Sequence, residues 1–246
     1  MRYALLIYID EPAAQARSAA EVQAAMVAHM PYIERLRRNG RYVASEALGT
    51  ARSARIVRSA AGKPLVTEGP FAESREQFGG FYMVEAGNLD EAIEVASECP
   101  ALGTIAAGIE IRPIPQAGAS TDASAALARD RYLLAVHVDA TACEISDDEV
   151  TEGALKRWQP YVERLRASGH LSVAESFSRP GSATSVRIRD GKVVLTDGPF
   201  LERREQMGGF CIVWARTMDD AVGLACAFPD AREHIVEVRP VRVARG

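Results

Sequence analysis

Two residues at the end of an apolar strand pattern could transfer protons. His137 and Asp139 are two positions apart, directly after the run Tyr132–Val136, so their side chains are expected on one face of a strand. A carboxylate beside an imidazole orients the ring and favours its protonated form, which suits a general acid–base pair. The same place near the N-terminus holds Tyr8 and Asp10. The alternative is a strand-end pair at the surface with a structural role only.

A third histidine belongs to a helical pattern. His29 lies three positions before Tyr32, and the later copy of this pattern has Trp158 and Tyr161. Residues three apart share nearly the same helical face. If this face lines a pocket, His29 is a candidate general base, and Tyr32 and Tyr161 are candidate substrate-binding residues. If it faces outward, His29 is a solvated surface residue.

Two carboxylates and two arginines lie within apolar strand patterns. Glu46 and Glu175 occupy equivalent positions in the second predicted strand of each copy, and Arg112 and Arg239 end the last strand of each copy. A carboxylate inside such a strand needs a partner or water. The arginines supply a partner for a structural ion pair, or else these residues form a binding site for a substrate anion.

A Gly-Pro-Phe triplet occurs twice. Asp197 precedes one triplet and can cap its turn, while Gly and Pro fix a tight bend. One interpretation is that this block is a folding element. The other is that its acidic residues line a pocket rim, with Asp197 as an acid–base candidate and the two phenylalanines contacting substrate. The residues concerned are Glu68, Phe71, Glu73, Glu76, Asp197, Phe200, Glu202 and Glu205.

Metal and cofactor signatures are missing from the sequence. It has no H-x-x-x-H, H-E-x-x-H, C-x-x-C, glycine-rich nucleotide or nucleophile-elbow motif. A metal site built from His137, His170 and His234 is conceivable but disfavoured, because these residues are far apart in sequence. We therefore expect no metal and no cofactor, and free thiols at the four cysteines.

The chain repeats itself. Arg2-Tyr3 recurs as Arg131-Tyr132, and the block EGPFAESREQFGGF from Glu68 recurs as DGPFLERREQMGGF from Asp197, with ten of fourteen positions identical. The repeat predicts two modules, residues 1–113 and 131–246. The Ala-, Ser- and Pro-rich residues 114–130 are the expected linker.

Each copy reads as β-α-β-β-α-β with an added hairpin. Ser18 and Glu21 have capping-box spacing before the first helix, and Asp190-Gly191 between alternating strands signals a tight hairpin turn. This order predicts an α+β fold made of two ferredoxin-like modules. Helices cover one face of such a sheet, so the other face requires a partner, and the second copy on the same chain is the expected one.

The repeated block and the shared Glu-[Ile/Val]-Arg-Pro ending resemble the YCII-related family, in particular the branch with the signature D-G-P-F-x-E-x-x-E-Q-x-G-G-[FY]. Copy two carries the signature intact, and copy one begins it with Glu68. The resemblance implies a dimeric α+β barrel, here a pseudo-dimer within one chain that is able to assemble further. The simplest family members have a His–Asp pair with the histidine on the first helix, a place held here by Tyr32 and Tyr161. Some relatives are associated with extracytoplasmic-function sigma factors.

The overall composition limits the function classes. With a net charge of −4 and no basic block, the chain is not expected to bind nucleic acid. No apolar stretch is long enough for a membrane span and no leader pattern is present, so a cytoplasmic location is expected. Three functions remain. The first is a cofactor-independent enzyme that eliminates, isomerises or hydrolyses a small, partly apolar molecule, and the second is a non-catalytic module that binds a ligand or regulates transcription. The third is a purely structural pseudo-dimer whose cavity is filled by side chains.

Overall fold

Strands and helices follow one another along the chain in the predicted order. The computed structural model describes residues 1–60, 63–115, 118–120, 129–140, 158–229 and 234–242. In the first half the elements are β1 (Arg2–Asp10), α1 (Glu11–Gln15), α2 (Ala19–Arg38), β2 (Tyr42–Ala47), β3 (Arg55–Ala60), β4 (Lys63–Glu68), β5 (Glu76–Glu85), α3 (Leu89–Ser97) and β6 (Ala106–Ile114). After these come β7 (Ala119–Ser120), β8 (Asp130–Asp139), the described part of α4 (158–167), β9 (Leu171–Ser176), β10 (Thr184–Arg189), β11 (Lys192–Asp197), β12 (Glu205–Ala215), α5 (Met218–Cys226) and β13 (Ile235–Pro240). The α+β class and the two ferredoxin-like modules are confirmed.

Local sequence signals explain where α2 begins and ends. Ser18 accepts a hydrogen bond from the Glu21 amide, and the Glu21 carboxylate accepts one from the Ser18 amide, so the predicted capping box is formed. Gly40 follows the helix with a φ of 65°, a conformation that favours glycine. The same spacing recurs in the second copy at Ser146 and Glu149, where it predicts an equivalent helix start, and these two residues lie outside the described part of the chain.

The chain forms two compact units, and each contains a hairpin from the other sequence copy. Unit 1 comprises Met1–Ala47, Ser74–Ile114 and Gly181–Glu202, and unit 2 comprises Leu48–Glu73, Pro115–Pro180 and Arg203–Gly246. The units therefore divide the chain differently from the sequence repeat. The module boundaries at residues 113 and 131 stay a prediction.

The sheet of unit 1 has the order β11-β10-β6-β1-β5-β2, with antiparallel neighbours throughout. The sheet of unit 2 has the order β4-β3-β13-β8-β12-β9-β7, also antiparallel. The β10–β11 hairpin thus completes unit 1 next to β6, and the β3–β4 hairpin completes unit 2 next to β13. A short piece of the predicted linker, β7, pairs with β9.

Alternate residues of each sheet face the helices and form an apolar core. In unit 1 this core contains Leu5, Ile109 and Val186, and in unit 2 it contains Leu134, Val136 and Val238. Side chains alternate along a strand, so the residues in between lie on the opposite face. That opposite face carries the polar residues described below.

None of the helices in the described part of the chain combines the length and the apolar character needed to cross a membrane.

The β10–β11 turn places both of its central residues at positive φ. Asp190 has a φ of 51° and Gly191 a φ of 71°, as a type I′ turn requires. Replacing Gly191 by Ala should lower the free energy of unfolding by about 1 kcal/mol, because a Cβ is disfavoured there. Gly181 is a matched control: space around it is open and its φ is not positive, so Gly181→Ala should change stability by less than about 0.5 kcal/mol. Urea unfolding measures both, and equal effects would contradict this turn type.

Candidate active site

The face of the unit 2 sheet that points away from the helices brings a histidine, a glutamate and an arginine together. His137 of β8 pairs in register with Ile235 of β13, and Glu237 and Arg239 follow on β13 at two-residue steps. Because residues two apart in a strand share a face, all four side chains lie on this face. The sheet register, rather than sequence proximity, thus assembles the group.

This group is buried and linked by charge. The His137 Nε2 atom lies 3.4 Å from Oε2 of Glu237, and Nη1 of Arg239 lies 3.4 Å from Oε1 of the same carboxylate. Arg239 also donates to the backbone carbonyl of Gly49 through Nη2. The three side chains are almost inaccessible to solvent. A buried carboxylate is tolerable when it is paired with a cation, here Arg239, and contacts further polar groups.

The charge state of Glu237 follows from these partners. Burial alone would raise the pKa of the carboxyl, but contact with His137 and the charge of Arg239 outweigh burial and hold the pKa below its usual range. Glu237 is therefore ionised at neutral pH and attracts a proton on the facing His137 nitrogen.

An aromatic ring covers the histidine on one side. Phe71, from the first Gly-Pro-Phe triplet, stacks on the His137 ring with centroids 3.9 Å apart and planes 17° apart. The other imidazole nitrogen, Nδ1, makes no hydrogen bond to any residue that the structure describes. Since Nε2 faces Glu237, Nδ1 is the nitrogen left to exchange a proton with another molecule.

Unit 1 places different residues at the equivalent positions. Tyr8 stands where unit 2 has His137, and it stacks on Phe200 of the second triplet with centroids 4.8 Å apart. The Phe200 amide donates to Oε2 of Glu110 at 2.9 Å, and Arg112 donates to Oε1 at 3.1 Å. Both carboxylate oxygens are thus engaged within the fold, and the group has no imidazole.

A glycine explains why the two groups differ. Gly108 pairs with Tyr8 in the unit 1 sheet, and a Cβ added there would lie 2.2 Å from Cε2 of Phe200, so Phe200 packs onto the space that Gly108 leaves. Ile235 holds the corresponding position beside His137. Phe200 is buried, whereas Phe71 is only half-buried.

The helix residues predicted for the site form groups on the other face. His29 Nδ1 lies 2.6 Å from the Tyr82 hydroxyl, which belongs to the helix-side core of unit 1. Burial lowers the pKa of His29 and raises that of Tyr82, so a neutral ring and a neutral hydroxyl share this hydrogen bond. Tyr32 and Tyr161 donate to the carbonyls of Val95 and Leu224 within the two helix-side cores. The structure does not bring these residues together with His137 or Tyr8.

The predicted carboxylates have separate surroundings. Asp139 forms an ion pair with Arg204 at 2.9 Å, so the carboxylate that meets His137 is Glu237 rather than Asp139. Glu175 is buried and accepts from the Gly118 amide at 2.9 Å. Glu46 is half-buried on β2, opposite Phe81, and Asp197 is exposed at the end of β11. Their catalytic roles stay predictions.

Glu110 and Glu237 were not among the residues predicted for the site. Both precede the predicted arginines by two positions, in the matching endings Glu110-Ile111-Arg112-Pro113 and Glu237-Val238-Arg239-Pro240. The available signal was a glutamate and an arginine two positions apart in an otherwise apolar strand, because a charge in such a strand is buried only with a partner.

The side chains that could bind a metal are dispersed in the described part of the chain. No three His, Cys, Asp or Glu side chains are grouped to hold a metal there. Burial raises the pKa values of Cys99 and Cys211 to about 12, so both thiols stay protonated. Cys143 lies outside the described residues.

Comparison with known proteins gives the same architecture. A family model described as the YCII-related domain matches residues 1–116 and again residues 131–245. An uncharacterized protein of Rhizobium meliloti (strain 1021) is 34% identical over 120 residues, which cover 46% of this chain and 92% of that protein.

Filling the space above Gly108 should destabilise unit 1. Gly108→Ala places a Cβ against Phe200 and 2.9 Å from the Val186 carbonyl, so we expect a loss of about 1–3 kcal/mol in the free energy of unfolding. In a Phe200→Ala background the same substitution should cost less, because the ring is gone. Urea unfolding of the four proteins measures this coupling, and additive effects would contradict the packing described here.

Replacing Glu237 should have an effect that depends on pH. Its folded pKa lies below the ordinary 4.5, so the ionised carboxylate stabilises the fold above pH 4.5 and this stabilisation is lost as pH falls through the folded pKa. Glu237→Gln should therefore cost about 3–5 kcal/mol at pH 7 and less below pH 4.5. Guanidinium unfolding between pH 7 and pH 3.5 measures the difference.

The matched control is Glu85→Gln, which removes an exposed partner of Arg2. Exposed pairs contribute little, so we expect less than about 1 kcal/mol at each pH. If Glu237→Gln lowered the free energy of unfolding equally at every pH from 7 to 3.5, the charge of the carboxylate would not contribute to the stability of the fold.

Proposed function

This chain belongs to the YCII-related family through both of its halves, and from that premise we propose that it is a small-molecule-binding, cofactor-independent enzyme whose acid–base residue is His137. It would eliminate, isomerise or hydrolyse a small, partly apolar substrate. The reaction class rests on the side chains of unit 2 rather than on the family, whose folds serve many chemistries.

One observation supports the proposal most directly. The ionised Glu237 carboxylate lies beside Nε2 of His137. Nδ1 of the same ring makes no hydrogen bond in the described structure. A carboxylate at one nitrogen places the proton there and leaves the other nitrogen as a base. The 3.4 Å separation is longer than a good hydrogen bond, and such contacts commonly shorten when substrate binds.

The proposed step is a proton transfer. Nδ1 takes a proton from a substrate carbon or from water, and the imidazolium that forms is stabilised by Glu237. The proton then returns to the leaving group or to another carbon, which restores the neutral ring. Glu237 is a positioning residue in this scheme, and Arg239 holds the carboxylate in place. Phe71 and Ile235 supply apolar surroundings, which strengthen the interaction between Glu237 and the imidazolium.

Unit 1 supports a different role for its own group. Tyr8 replaces the imidazole, and both oxygens of Glu110 are taken by Phe200 and Arg112. This arrangement packs the group into the fold and leaves no imidazole base at the position of His137. We assign proton transfer to unit 2 alone.

Elimination of 5-nitrobenzisoxazole tests the base, since removal of its ring proton opens the ring to a coloured cyanophenolate without any cofactor. We expect His137→Ala to reduce the rate at least about tenfold, as loss of a general base does. His170 lies in the same unit and contacts the Trp214 carbonyl, so His170→Gln is the matched control and should keep the rate.

Circular dichroism of each variant checks that the fold is retained. If His137→Ala is as fast as the parent, His137 is not the base. If the parent is no faster than free imidazole at the same concentration, the acid–base proposal fails and binding without catalysis replaces it.

A further inference from the structure

An arginine lies two strands from His137 on the same face of the unit 2 sheet. Val57 of β3 pairs with Val236 of β13, which places Arg58 level with Ile235, and Ile235 pairs with His137. Val57 and Val236 belong to the helix-side core, so Arg58 and Ile235 lie on the face that carries His137. Adjacent strands are about 4.8 Å apart, and the two backbones are therefore separated by about 10 Å.

The Arg58 guanidinium has no acidic partner in the described structure. Its Cζ lies 5.6 Å from the centroid of Phe71, and the side chain is exposed. No carboxylate among the described residues is within ion-pair distance of it. Glu237, the acidic residue of this group, is already balanced by Arg239. Among the described residues, no carboxylate therefore balances the positive charge of Arg58 beside His137.

The equivalent arginine of unit 1 is bound into the fold. Arg187 donates to the Phe200 carbonyl at 2.9 Å and packs 4.0 Å from the centroid of that ring. This packing follows from Gly108, which lets Phe200 come down onto the sheet. In unit 2 Ile235 stands at the position of Gly108, and Arg58 makes no hydrogen bond to Phe71 among the described contacts, unlike Arg187 with Phe200.

Apolar side chains lie near the Arg58 guanidinium. Leu65 pairs with Arg58 across the β3–β4 hairpin and is 49% exposed. Ile235 lies between Arg58 and His137, and Phe71 contacts both residues. A ligand that fits this surface has one anionic end and an apolar body.

We propose that the substrate of unit 2 is a small organic carboxylate with an apolar body. Its carboxylate binds the Arg58 guanidinium, its body lies against Ile235, Leu65 and Phe71, and its reacting proton faces Nδ1 of His137. The position of the reacting proton rests on the proposed function. The preference for an anion does not, because it follows from Arg58 and its surroundings.

Benzoate and its neutral analogue benzamide are the probes. In protein with carbon-13-labelled histidine, the His137 ring signal is identified by its loss in His137→Gln and followed as each probe is added. Benzoate should bind at least about tenfold more tightly than benzamide, because a guanidinium forms stronger hydrogen bonds to a carboxylate than to a neutral amide. Arg58→Gln should abolish this preference and Arg58→Lys should retain part of it. Arg187→Gln is the matched control and should leave it intact.

Each outcome decides one question. Equal binding of benzoate and benzamide, no binding of benzoate, or a preference that survives Arg58→Gln would overturn the carboxylate proposal. If benzoate binds through Arg58 but 5-nitrobenzisoxazole is not consumed, the anion site stands and the acid–base function fails. If His137-dependent elimination occurs without an anion preference, only the substrate class is wrong.

Discussion

A carboxylate inside a β-sheet must be given partners, and the last strand of each copy contains one. Glu110 and Glu237 are only 1% and 3% exposed, and each lies two positions before a buried arginine. The arginine alone leaves part of each carboxylate to be satisfied by a neighbouring element. In unit 1 the neighbour is the Phe200 amide, and in unit 2 it is the His137 ring. The difference between a closed packing group and a histidine with a usable nitrogen arises from this choice of partner.

The choice of partner traces to small substitutions after the duplication. Gly108 admits Phe200 to the sheet surface, and the amide of the same residue then reaches Glu110. In unit 2 Ile235 stands at the position of Gly108, and His137 is the neighbour that faces Glu237. Two copies of one module therefore diverge through a side chain that takes no part in the chemistry itself, and the residue with the chemical function, His137 in place of Tyr8, gains its significance from it.

Local features of the fold were predictable from sequence and long-range ones were not. The capping box at Ser18 and the Asp190-Gly191 turn depend on neighbouring residues, so their signals are complete within a few positions. The exchange of hairpins is different, because β3–β4 and β10–β11 carry similar patterns and either would fit either sheet edge.

At the site, His137 and Arg239 were recognised by residue type. Their link through Glu237 required the register of β8 against β13, about 100 residues apart in sequence, which no local pattern contains.

Because of the exchange of hairpins, the sheet of unit 1 is completed only after β10 and β11 have been synthesised. Unit 1 contains most of the first copy, yet its sheet is completed by β10 and β11, which end at Asp197. While a ribosome makes the first 180 residues, the outer edge of β6 has no partner strand from this hairpin, and its backbone N–H and C=O groups remain open to other strands. The nascent chain therefore passes through a long interval in which pairing with another molecule competes with its own completion. Slow or interrupted translation between β6 and β10 lengthens that interval, which makes the second half of the message a determinant of whether the first half folds correctly.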